Sequence, residues 1–456
     1  MDDHIIVPEL DPAAMSADPD KALEDYVSSL STRPMDHSRP LWEVHVLDFP
    51  TAEAAAAAAV ALCVHHSVGD GVSMLSLFMA CTRSAADPGA LPSLPPGRRS
   101  GPVYAVRRPP PLSSAAGALD ALAALAVWLL SFLVLAWHTV VDVVCFFATA
   151  VSLLGDAPTV LKGKEDTEFE PRRFVNRTLS LDGIKSVKNA MSCTVNDVLL
   201  GITSSALSRY YFRRTGESDS KSMTVRSAVL VNLRATPGIP ALASMMESSK
   251  DNGARWGNKL GYMLIPFHLA KHDDPLEYVR KATKVARRKK SSMESVFGSQ
   301  TFRHQGGELS VLAVSEFAIL ILHRILIPDR VCENLFVQAA AALCYGMFAH
   351  TTLSFSNMIG PTEQALTVHY QSYMNSVKLV LSVDETQFPD SHRLLDDFAE
   401  SLRLIRKAAS CSGGSVCVCG WGGLAQSPVP GGRSATGFRK TCRGDAGCCF
   451  QLSIHR

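Results

Sequence analysis

The sequence predicts a two-domain α/β protein with an apolar, membrane-associated helical segment between its lobes. Three observations carry this reading. At 456 residues the chain is long enough for two domains of ordinary size, each with its own core. Strand-type alternation and helix-type spacing interleave on both sides of residue 119. Between those regions, Leu119 to Leu154 is the most apolar stretch of the chain. A hydrophobic content of 47% with 19% charged residues suits a globular protein that also touches lipid. The net charge of +2, with no basic stripe, argues against nucleic acid as a partner.

The N-terminal lobe spans 1–87. His4-Ile5-Ile6-Val7 reads as a strand fragment, Leu23 to Leu30 as a helix, and Arg33 to Pro40 as a turn-rich loop. Leu41 to Leu47 alternates as a strand, and Phe49-Pro50-Thr51 turns the chain into an apolar run, Ala54 to Val64. The alanines of that run favour helix on propensity, so its assignment as a strand rests on the hairpin context. Next comes His65-His66-Ser67-Val68-Gly69-Asp70-Gly71, followed by a second apolar run from Val72 to Met79. A strand that breaks into a glycine-rich turn presents an imidazole from a rigid base, and histidine takes a proton from a hydroxyl near neutral pH. Adjacent strand residues point to opposite faces, so His65 and His66 are expected to part company: one in a site, the other packed. For the same reason the pair is not expected to chelate one metal.

A Pro- and Arg-rich linker covers 88–118, and the apolar segment 119–154 follows. About 20 apolar residues suffice to cross a bilayer, so a span is available, as is a helix lying in the interface. The C-terminal lobe, 155–410, alternates strands and helices. Asn176 to Leu181 reads as a strand, and Ile184 to Ala190 as a helix. Thr194 opens a helix to about Arg214, with Asp197 placed to complete a capping box. Val225 to Leu233 and Asn258 to Phe267 read as strands, and Pro275 to Lys289 as a basic helix. Its terminal Arg287-Arg288-Lys289-Lys290 is read as a solvated helix end, with an anionic head group or coenzyme A phosphate as the sharper alternative. Leu309 to Ile327 reads as a helix, and Thr352 to Asn357, Thr367 to Tyr373 and Ser376 to Val383 as strands. Leu394 to Ile405 closes the lobe as an amphipathic helix. The tail, 411–456, is rich in Gly, Ser and Cys without apolar periodicity and is expected to be disordered; its cysteines match no zinc spacing. The cysteines before it sit in apolar surroundings, as reduced, buried thiols do.

His65 to Gly71 resembles the HHxxxDG signature of the coenzyme A-dependent acyltransferase superfamily. That group includes chloramphenicol acetyltransferase, peptide-synthetase condensation domains, plant soluble acyltransferases and the wax ester synthase/diacylglycerol acyltransferases. Pro40-Leu41-Trp42, Asn196-Asp197 at a helix start, and Phe355-Ser356-Asn357-Met358-Ile359-Gly360-Pro361 are similar to motifs of the last family, in its plant branch. The resemblance runs from about residue 2 to 410. It implies a two-domain chloramphenicol-acetyltransferase-like fold with mixed sheets. It also implies a long-chain acyl-CoA as co-substrate without further cofactor, and a fatty alcohol or diacylglycerol as acceptor. By the same resemblance His66 is the general base, with His65 beside it. Asp70 would brace the loop through an ion pair for which Arg234 is the candidate partner, and Gly69 and Gly71 would permit its turn. Substrate contacts would come from Pro40, Leu41, Trp42, Asn196, Asp197, Asn357, Gly360 and Pro361, although Asp197 is equally explained as a cap and Trp42 as strand core.

The chain departs from the family before Asp2, after Gln364, across Gly298 to Val337, and beyond Ser410, as a truncated or alternatively spliced form would. A catalytically impaired lipid-binding product is therefore one alternative reading, and a soluble-type acyltransferase for non-lipid alcohols another. Because His66 precedes the apolar segment and Asn196 follows it, both must lie on one side of the membrane. Same-side interfacial anchoring is thus expected, at the cytosolic face of the endoplasmic reticulum or, as a second site, the plasma membrane. Basic residues at both ends of the segment, Arg107-Arg108 and Lys162 with Lys164, agree with this.

Overall fold

The structure, a computed structural model, describes residues 2–49, 58–83, 87, 89, 118–163, 171–216, 223–234, 256–296, 342–356, 364–373, 375–411 and 451–454. Two mixed sheets organise it. The smaller joins β1 (Ile5–Ile6), β2 (Trp42–Leu47), β3 (Ala59–Val64) and β10 (Gln451–Ile454) in that spatial order. The larger runs β4 (Arg172–Ser180), β9 (Ser376–Asp384), β8 (Leu366–Tyr373), β7 (Leu353–Ser356), β5 (Met223–Asn232) and β6 (Leu260–Leu269). Both sheets mix parallel and antiparallel neighbours: β2 and β3 are antiparallel while β1 and β10 pair in parallel at the two edges. In the larger sheet β7 is parallel to both β5 and β8. The two-lobe α/β organisation expected from the sequence is present.

In the first lobe α1 (Pro12–Ala17) and α2 (Pro19–Ser29) each begin with proline at the first position, after Asp11 and Asp18 as side-chain caps. Val27 and Leu30 pack with Leu47, Phe49, Ala59, Ala61 and Cys63 to form this lobe's core. The run after the histidines is α3 (Gly71–Cys81), and α4 (Ala118–Ala150) is the apolar helix. In the second lobe α5 (Leu181–Ala190), α6 (Val195–Thr215), α7 (Leu276–Lys290), α8 (342–349) and α9 (Ser391–Cys411) accompany the large sheet. The core of this lobe centres on α6, where Val198, Leu199, Ile202, Leu207 and Tyr210 are fully buried. The expected capping box holds: Thr194 Oγ1 accepts from the Asp197 amide at 3.2 Å, and Asp197 Oδ2 accepts from the Thr194 amide at 2.9 Å. Gly216, at φ +67°, ends the helix.

Several expectations change. Gln451–Ile454 lies in the tail read as disordered, yet it forms a strand parallel to β3, with Gln451 opposite Val60 and Ile454 opposite Cys63. The physical reason is an open edge on β3 and a four-residue run that alternates polar and apolar. The strand after the Phe49 turn is shorter than the Ala54–Val64 run, beginning at Ala59. The cysteines are not uniformly buried either: Cys63 is, Cys145, Cys193 and Cys344 are half-buried, and Cys81 is exposed. The helix read over Leu309 to Ile327 lies outside the described residues.

Candidate active site

The histidine loop begins where β3 ends. The strand stops at Val64, so His65 and His66 sit in a turn and not on strand, and period-two alternation does not separate them. Their hydrogen bonds do. The His65 amide donates to the Leu41 carbonyl at 3.0 Å, which ties the turn to the start of β2, and its carbonyl accepts from the Val68 amide at 3.0 Å. His65 Nδ1 accepts from the Ser67 amide at 3.2 Å and lies 2.8 Å from the Ser67 hydroxyl. That pattern fixes the proton of a neutral His65 on Nε2. Burial holds its pKa below the ordinary histidine value, and the neighbouring His37 and His66 push the same way. The rings of His37 and His65 lie edge to face, 6.2 Å apart. His66 is half-buried, and its carbonyl accepts from Asn258 Nδ2 at 2.9 Å.

Asp70 does two jobs at once. Its Oδ1 accepts from the Ser73 amide at 3.0 Å and caps α3. Its Oδ2 meets Arg234 Nη1 at 2.5 Å and the Lys259 amide at 2.9 Å. The Asp70 and Arg234 side chains are both completely buried. The guanidinium is further satisfied by Ser73 Oγ at 3.1 Å, the Gly257 carbonyl at 2.6 Å and Asn232 Oδ1 at 3.3 Å. Trp256 Nε1 adds a hydrogen bond to the Val68 carbonyl at 2.8 Å. Asn232 ends β5, Arg234 lies just beyond it and 256–259 precede β6, so the loop of the small lobe is gripped by one end of the β5–β6 pair of the large sheet. A buried charge is tolerated only when paired and hydrogen-bonded, as this pair is.

Gly69 is needed for space, since a Cβ there would lie 2.9 Å from Ser73 Cβ and 3.1 Å from Met74 Cε. Gly71 is the first residue of α3. Pro40, Leu41 and Trp42 lie beside the loop through the backbone: the Trp42 amide donates to Pro40 at 2.8 Å, and Trp42 stands opposite Val64 in the β2–β3 register. The half-buried Trp42 ring stacks on His4, with centroids 4.5 Å apart. Asn196 stands exposed at the second position of α6, and Asp197 is committed to the cap. Asn357, Gly360 and Pro361 lie outside the described residues. Sequence reasoning missed Ser73, Trp256, Gly257, Asn258 and Lys259, of which only Trp256-Gly257-Asn258 offered any signal, as a polar, aromatic turn before a strand.

Residues 13–199 match the family model for the wax ester synthase/diacylglycerol acyltransferase catalytic domain. Residues 256–365 and 362–406 match the model for the C-terminal domain of the same proteins. From Arabidopsis thaliana, wax ester synthase/diacylglycerol acyltransferase 11 is 39% identical over 90% of this chain and 81% of its own length. Number 5 of the same series is 39% identical over 89% and 79%. The chain belongs to the wax ester synthase/diacylglycerol acyltransferase family. It is an acyltransferase, and the histidine loop lies within the matched catalytic domain. Among solved structures it is similar to the wax ester synthase/diacylglycerol acyltransferase from Marinobacter aquaeolei VT8, at 17% identity and a TM-score of 0.47, covering 90% of this chain and 80% of that one.

Proposed function

We propose that the protein moves a long-chain acyl group from acyl-CoA to the hydroxyl of a fatty alcohol or a diacylglycerol, with His66 as general base. His66 takes the hydroxyl proton as the alcohol oxygen attacks the thioester carbonyl. The C–O bond forms, the C–S bond breaks, and the imidazolium returns the proton to the departing coenzyme A thiolate. No covalent enzyme intermediate is required. A positioned base of this kind is worth about a hundred- to ten-thousand-fold in rate. The observation that carries this reading is the clamp: the completely buried Asp70–Arg234 pair fixes, from the opposite lobe, the turn that holds His66. Asp70 is thereby a positioning residue. His65, held by Ser67, serves as scaffold. Asn196 faces solvent at a helix start, where its amide can meet substrate or steady a developing oxyanion.

Helix α4 supports a membrane setting for this chemistry. Its 33 residues reach about 50 Å at 1.5 Å per residue. From Leu122 to Val141 none of the described side chains is buried, and Val127, Leu133 and Trp137 are two-thirds exposed. Beyond that the helix docks on the large lobe: Asp142 meets Arg288 at 2.7 and 3.0 Å and Lys289 at 3.1 Å, and Phe146 and Ala150 pack with Leu264, Met347 and Phe348. From its start at Ala118 to Trp137, the last residue before the His138–Ser291 contact, the helix is about 30 Å long, comparable to the hydrocarbon core. Because Arg234 and Lys259, which follow α4, grip the histidine loop that precedes it, both lobes lie on the same side, and we place the helix in, or dipping into, the cytosolic face of the endoplasmic reticulum membrane. The test is product formation: the purified chain in micelles, given a long-chain acyl-CoA with either a fatty alcohol or a diacylglycerol, releases coenzyme A and an ester. Ester from neither acceptor contradicts the assignment.

A further inference from the structure

The end of α7 beside α4 carries charge that the fold leaves unused. Of its last basic residues, Arg288 and Lys289 turn inward to Asp142, and Lys289 also meets Glu294 at 2.7 Å. Lys284, Arg287 and Lys290 are exposed, and among the described residues none of their three side chains makes a hydrogen bond or ion pair. Their position is set by two contacts. Arg288 meets Asp142, and one turn later Ser291 Oγ lies 2.6 Å from His138 Nδ1. The sequence advances along α7 as it retreats along α4, so the helices are antiparallel there. The C-terminal end of α7 therefore points toward the exposed apolar stretch, and Lys290, Arg287 and Lys284 step away from the foot of that stretch. Cations at the rim of a surface that enters hydrocarbon stand at the depth of lipid head groups.

We propose that Lys284, Arg287 and Lys290 form a collar that binds the anionic head groups of the membrane in which α4 rests, making this enzyme selective for negatively charged lipid surfaces. The inference rests on the membrane reading of α4 given above and adds the lipid class to it. Charge complementarity supports it: three uncompensated cations lie beside an apolar helix that needs lipid to cover it. Each cation near an anionic leaflet strengthens binding by about five-fold, so three together are worth on the order of a hundredfold.

The experiment uses the full chain made by cell-free translation with vesicles of phosphatidylcholine alone or phosphatidylcholine plus phosphatidylserine, read by flotation. The wild-type chain is expected to partition on the order of a hundredfold more strongly onto the anionic vesicles, with the preference shrinking as salt is raised. The triple variant Lys284→Ser, Arg287→Ser, Lys290→Ser is expected to bind both vesicles equally while keeping wild-type ester synthesis in micelles, which shows that it is folded. Equal binding of the wild type to both vesicles overturns the collar and leaves the membrane reading standing. Binding to neither overturns the membrane reading and the collar with it. A triple variant that keeps the anionic preference overturns the assignment to these residues.

Discussion

Replacing Asp70 by alanine removes one carboxylate and breaks three contacts. It leaves the fully buried Arg234 guanidinium without its counter-charge, α3 without its cap, and the Lys259 amide without its acceptor. Removing one partner of a buried ion pair costs about 3–5 kcal/mol, and losing an N-cap about 1 kcal/mol. Arg234 retains Ser73, Gly257 and Asn232, so the lower half of the range applies, and the total comes to roughly 4–5 kcal/mol. For a lobe of this size that lowers the melting temperature by about 10 °C or more. Hydrogen exchange monitored by mass spectrometry reads it locally: amides of 65–73 and 256–259 lose protection together, although they lie on opposite lobes. Replacing both partners, as Asp70→Leu with Arg234→Met, removes the stranded charge and is expected to cost less than Asp70→Ala alone. An Asp70→Ala variant within 1 kcal/mol of wild type, or loss of protection on one lobe only, refutes the clamp.

Three further outcomes follow from the junctions around the site. Burial pushes the Glu294 carboxyl up to about 7 from its ordinary 4.5, outweighing the attraction of Lys289. A raised carboxyl pKa gives stability that is full below about 4.5 and is lost as pH rises through 7. Between pH 5 and 8 the α4–α7 junction should thus weaken by on the order of 3 kcal/mol, and Glu294→Gln should flatten that dependence in denaturation curves taken across the range. Gly346 of α8 passes so close to the end of α4 that a Cβ would fall 2.1 Å from the Ala150 carbonyl oxygen. Gly346→Ala should therefore force the helices apart and open the cluster that holds Phe146, Ala150, Met347 and Phe348 to proteolysis, and an unchanged digestion pattern argues against that packing. Thr194→Ala removes half of the capping box and should cost about 1 kcal/mol in chemical denaturation.

How much of this was legible in the sequence differs from element to element. Local chemistry was readable: the cap at Thr194, the alternation of β2, and the apolar run of α4 all depend on neighbours within a few residues. Asp70 and Arg234 are 164 positions apart, and their pairing was expected through a family resemblance, because no periodicity links such distant residues. The rest of the grip was hidden for the same reason. Ser73 reads as an ordinary helix residue, and the Lys259 amide and Gly257 carbonyl are backbone groups with no side-chain signature. The basic run at 287–290 was half understood. Two of its four residues are solvated, but Arg288 and Lys289 face Asp142 on a helix more than a hundred residues earlier. The strand at 451–454 escaped because its partner edge exists only after the small sheet has formed.

The central claim is that the residue held by this clamp, His66, moves the proton, while His65 supports it. The most direct measurement is kcat for ester formation from a long-chain acyl-CoA in His66→Ala and His65→Ala, each shown by circular dichroism to be folded. The account predicts that His66→Ala lowers kcat by about a hundred- to ten-thousand-fold and that His65→Ala lowers it far less. Ester formation at the wild-type rate in His66→Ala, or a larger loss in His65→Ala, contradicts it.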